Sequence, residues 1–99
     1  MTIDKDAVKA EFIDMLRSTG REGVDYVIEE IERLGFFEAP ASANHHLNVE
    51  GGLTQHSLNV AKAALSVWEA LKPLEPTLEK EVTRDSIIIS ALLHDVCKA

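Results

Sequence analysis

The stretch Ser86-Ile-Ile-Ile-Ser-Ala-Leu-Leu-His-Asp95 constrains the fold more than any other part of the chain. Wound as a helix, Ile87 to Leu93 is apolar on nearly every side, so other elements must surround it. Three consecutive isoleucines also suit a buried strand. Ala91-Leu92-Leu93 and the helical period of the remaining chain favour helix. The run is seven residues long and contains Ser90, well short of the ~18 needed to cross a bilayer. It predicts a central, buried helix rather than a membrane span.

The segments before it supply the surrounding surface. Residues 4–19 place Val8, Phe12, Met15 and Leu16 on one helical stripe, and Gly20 stops the segment. Residues 22–34 repeat the pattern with Val24, Val27, Ile28, Ile31 and Leu34, opposite a solvated face of Glu29, Glu30, Glu32 and Arg33. Residues 36–52 show no sustained period, and an irregular stretch of that length is usually functional or mobile. Phe36 and Phe37 are expected to anchor it to the core. Helix resumes over 53–71, with Leu53, Val60, Ala64, Val67 and Leu71 inward and Ala61, Leu65 and Trp68 widening the stripe. Pro73 and Pro76 enforce a turn, and the last helix begins near Leu78 or at Thr83. The fold predicted is all-α, with four to five helices.

Charge narrows the range of partners. Seventeen acidic against ten basic residues leave a net charge of −7, which argues against a groove for duplex nucleic acid. The excess sits mainly in residues 1–38, with ten acids and five bases, against seven and five in 39–99. An anionic substrate is therefore compatible with the second half, above all beside a cation. A single cysteine, Cys97, excludes an internal disulfide and fits a reducing compartment; its expected state is a buried, inert thiol. The N-terminus has no basic head followed by an apolar stretch, so a cytoplasmic protein with no membrane association is expected.

All four histidines, His45, His46, His56 and His94, lie in the second half. His56 falls on the inward stripe of its helix, either as a core histidine satisfied by a carbonyl or as a ligand facing a cavity. His94 and Asp95 end the apolar helix, and an aspartate there needs a partner or a cation. Successive helical positions diverge by roughly 100°, so a metal would sit in the notch between the two, with another helix completing the ligand set. His56 is the obvious donor. Lys98 is either a cation complementing the helix dipole or a phosphate contact. His45 and His46 are either loop-surface residues or groups that reach the same site.

The blocks Glu50-Gly-Gly-Leu-Thr-Gln-His56-Ser-Leu-Asn-Val-Ala61 and Ala91-Leu-Leu-His94-Asp95-Val-Cys-Lys98 resemble the HD superfamily of metal-dependent phosphohydrolases, including certain 3′–5′ exoribonucleases. The 38 residues between His56 and His94 are typical of that family. The resemblance covers about residues 36–99 and implies an HD-like helical bundle, with residues 1–35 as an N-terminal helical extension. It implies His56, His94 and Asp95 as ligands of a divalent metal (Mn, Fe, Co, Mg or Zn). Asp95 would also serve the catalysis, and a water acidified by the cation would attack phosphorus. Lys98, with His46 and His45, would contact a small phosphorylated substrate or nucleotide. Glu50 would orient a ligand, and Gly51-Gly52 would let backbone approach the start of the helix closely.

Two departures from the pattern matter. Cys97 stands where the family commonly has Gly, and the family's final Asp ligand lies on a later helix. Lys98-Ala99 ends an apolar helix without a cap, which predicts an HD domain cut short at its C-terminus. A homo-oligomer in which a partner chain supplies the carboxylate is one alternative. A non-catalytic nucleotide- or metal-binding module is another.

Overall fold

Capping residues set where the first and last helices begin. Asp4 accepts a hydrogen bond from the Ala7 amide at 3.1 Å and starts α1, Lys5–Arg17. Thr83 accepts one from the Ser86 amide at 3.2 Å and starts α5, Arg84–Leu93. Between them lie α2 (Val24–Arg33), α3 (Gly52–Leu71) and the single turn α4 (Leu78–Glu81); a 3-10 turn, Val96–Lys98, follows α5. The computed structural model describes residues 3–41 and 48–98, and among these there is no strand. The chain is all-helical, as the periodicity requires. Both proposed starts of the last helix exist, as α4 and α5.

The core forms where α1, α3 and α5 meet. Phe12, Phe36, Leu53, Leu58, Ile88 and Leu92 are fully buried there, joined by Val8, Leu16, Ile28 and Ile31. Phe12 of α1 packs its ring against Phe36 and Phe37 at centroid distances of 5.1 and 5.4 Å, the latter edge-on. Phe36 and Phe37 meet edge-on at 5.4 Å, closing a triangle. The two phenylalanines after α2 thus anchor the following segment to the core. Aromatic pairs in this geometry add about 0.5–1.5 kcal/mol each beyond area burial.

Three packing expectations are corrected. Leu53, Ala61 and Trp68 of the predicted α3 stripe are buried, but Val67 and Leu71 are 58% and 40% exposed, and Thr54, Ser57 and Leu58 are buried in their stead. Small residues can make the close approach between helices, and a stripe weighted by large aliphatic side chains misses them. Leu34, the C-cap of α2, is 59% exposed and lies off the face that buries Ile28 and Ile31. Among the described residues, α5 is not fully enclosed. Ile88, Ala91 and Leu92 are buried, Ile87, Ile89 and Leu93 are half-buried, and Ser90 is exposed. The described helices cover one side of it and leave another open. No helix among the described residues is long and apolar enough to cross a membrane.

Candidate metal centre

Two helices bring the candidate ligands together. Gly51 caps α3 with φ +85°, and His56 follows just over one turn later. Where α5 stops at Leu93, His94 is its C-cap and Asp95 the next residue. Because α3 and α5 pack against each other, His56 reaches the end of α5, and the two imidazole rings lie 5.4 Å apart. One donor atom from each of His56, His94 and Asp95 lies within 4.8 Å of the other two.

Asp95 is the hub. Its Oδ2 is 2.9 Å from His94 Nε2 and 3.3 Å from His56 Nε2, while Oδ1 is 3.6 Å from Lys98 Nζ. The carboxylate is mostly buried, whereas the two histidines are about one-third exposed at its edge. The His94 ring is oriented from behind. Its Nδ1 stands 2.6 Å from the Ala91 carbonyl oxygen, which can only accept, so Nδ1 carries a proton. In the neutral ring Nε2 then bears a lone pair facing a carboxylate oxygen 2.9 Å away. Two lone-pair bearers at that separation repel unless a proton or cation is shared between them. The donor set, two imidazole nitrogens and one carboxylate oxygen, suits a divalent transition ion and leaves positions for water or substrate.

Lys98 lies beside this group on the 3-10 turn and is exposed. His45 and His46 lie outside the described residues. Two expectations fail. Cys97 is exposed, because the chain leaves α5 through the 3-10 turn instead of continuing the buried helix. Glu50 pairs with Lys5 at 2.8 Å, and Glu38 holds the same ammonium at 2.6 Å, so Glu50 fastens α1 and does not orient a ligand. The close approach foreseen at Gly51 is real: a Cβ there would stand 3.0 Å from Lys5 Cβ. Sequence reading missed the Ala91 carbonyl behind His94. Its signal was the i−3 spacing from a histidine at a helix C-terminus, where carbonyls lack partners.

The fold and site define an all-helical chain with a candidate divalent-cation centre of two histidines and an aspartate. Over 61 residues, 62% of this chain, the sequence is 49% identical to the dihydroneopterin 2′,3′-cyclic phosphate phosphodiesterase of Methanocaldococcus jannaschii. The matched residues make up 23% of that protein, so the chain spans well under half its length. No family model matches the chain, and no solved structure matches it.

Proposed function

We propose that this chain carries a metal-dependent phosphohydrolase site of the HD type, acting on a phosphodiester through His56, His94 and Asp95. The observation that supports this reading most is the convergence of the three donor atoms within 4.8 Å, from residues 38 apart in sequence. The relative named for a cyclic phosphate extends the reading to the substrate class: a cyclic or linear phosphodiester joined to a fused heterocycle. A divalent cation, when bound, supplies the Lewis acidity that makes water nucleophilic near neutral pH and polarises phosphate.

The chain's own residues do the rest. The Ala91 carbonyl fixes which nitrogen His94 presents, and His56 presents Nε2 from the opposing helix. Asp95 turns one oxygen to the histidines and the other to Lys98. The exposed Lys98 ammonium, 3.6 Å from Asp95 Oδ1, would neutralise phosphate charge, with His45 and His46 as further candidate contacts. In hydrolysis, water oxygen bonds to phosphorus, one P–O ester bond breaks, and the departing oxygen takes a proton. A cyclic diester thereby opens to a phosphomonoester.

Metal titration calorimetry and hydrolysis of a 2′,3′-cyclic phosphodiester, on wild type and Asp95→Ala, test the reading. The variant is expected to lose about 100-fold or more in cation affinity and in turnover. Unchanged affinity and unchanged hydrolysis would overturn it. Cation binding without any hydrolysis by the wild type would favour a binding module.

A further inference from the structure

The open side of α5 is not featureless. Together with α3 it forms a shallow shelf of about 370 Å³ that runs up to His94. Val60, Ala64, Ile87, Ser90 and Ala91 line it, mostly with small or aliphatic side chains. Val82 also lines it, and its carbonyl accepts the Trp68 indole hydrogen at 3.0 Å. The volume lies in the range of small-molecule sites, which are mostly apolar with a few polar groups. Here the polar groups are the Ser86 and Ser90 hydroxyls and the His94 ring itself.

His94 belongs to both features. Its Nε2 faces Asp95 in the cation centre, and its ring borders the shelf. A phosphate ester held at the centre therefore meets the shelf directly at that ring. We propose that the Val60–Ala64–Ile87–Ser90–Ala91 shelf binds the flat heteroaromatic part of a phosphodiester whose phosphate sits at His56, His94 and Asp95. This rests on the function proposed above and adds to it the surface that selects the substrate. A ring system suits it because the lining is mostly apolar and open, and the exposed Ser90 hydroxyl can bond to a ring-edge nitrogen or oxygen.

The test replaces exposed Ser90, which is not itself a candidate ligand, with arginine, a good helix former whose long side chain fills the shelf. Ser66→Arg, at an exposed position on another face of α3, is the control for added charge. The probes are adenosine 2′,3′-cyclic phosphate, which has a ring, and ethylene cyclic phosphate, which has none. Burying one face of a ring system is worth about tenfold in affinity. Ser90→Arg is therefore expected to raise KM for the adenosine ester about tenfold, leave KM for the ethylene ester within about twofold, and spare kcat. Ser66→Arg should change neither.

A second readout does not need turnover. Adenosine alone, titrated into wild type, should shift the amide resonances of Ala64, Ile87 and Ser90 and change the emission of Trp68, the chain's one tryptophan. Absence of both changes, or equal KM ratios in wild type and Ser90→Arg, overturns the proposal. Adenosine binding without hydrolysis of either ester would instead sink the catalytic reading and keep the shelf. A change in oligomeric state on Ser90→Arg, with the KM ratio unmoved, would assign the face to protein contact and also overturn it.

Discussion

Gly51 and Gly23 form a matched pair that separates backbone strain from steric crowding. Both are helix N-caps with φ +85°, and their ψ values are −3° and −2°. An alanine at either must adopt the left-handed conformation, which costs about 1–2 kcal/mol. At Gly23 the new methyl meets nothing within 4 Å, so strain is the whole effect. At Gly51 it meets Lys5 Cβ at 3.0 Å and Ile3 Cγ2 at 3.4 Å. Lys5 is held by Glu38 and Glu50, so the start of α1 can retreat only by loosening those ion pairs. Overpacking of this kind adds roughly 1–3 kcal/mol. Urea unfolding should therefore show Gly23→Ala destabilised by about 1–2 kcal/mol and Gly51→Ala by about 2–5 kcal/mol, with unchanged slopes. Gly51→Ala alone should also weaken divalent-cation binding, since it displaces the first turn of the helix that carries His56. Equal losses in the two variants would refute the crowding argument, and an untouched cation affinity would refute the link to His56.

The remaining expectations concern the core and the ion-pair cluster. Phe12→Leu should cost about 1–3 kcal/mol by loss of two ring contacts, and a double-mutant cycle with Phe37→Leu should show coupling of about 0.5–1.5 kcal/mol. Additive losses would mean that the rings contribute only buried area. In the surface cluster, the hydrogen bond with Glu50 and then that with Lys5 hold the Glu38 carboxyl below its ordinary value of 4.5. That contribution is present above this value and fades as pH falls through the depressed one. Glu38, Glu50 and their charges likewise raise Lys5 above its ordinary 10.5, so its contribution fades only in strong alkali. Lys5→Met should flatten the acid limb of stability against pH, and parallel limbs in variant and wild type would remove the cluster's role.

Much of this architecture was legible in the sequence, and the failures share one cause. Helical periodicity located α1, α2, α3 and α5 because large aliphatic residues recur at the spacing that buries one face. The same weighting placed Val67 and Leu71 inside, since it ignored the small polar residues Thr54 and Ser57 that are buried instead. His56, His94 and Asp95 were legible as candidates because ionisable groups on apolar helices need a reason to be there. What a linear reading lacked was depth of packing. It could not tell that the described helices leave one side of α5 open, or that Glu50 turns to Lys5, 45 residues away.

The hydrogen bond from His94 to Ala91 bears on how the centre would capture a cation. An imidazole that is free to rotate must surrender its rotamers when it coordinates an ion. This ring has surrendered them already, because the last turn of α5 holds it in place as the helix forms. Rotational entropy that would oppose capture is spent at folding, and accommodation to ions of different radius falls to His56 and to the carboxylate. The main chain of an alanine, a residue with no ligand chemistry of its own, would thereby take part in setting how strongly the proposed centre holds a cation.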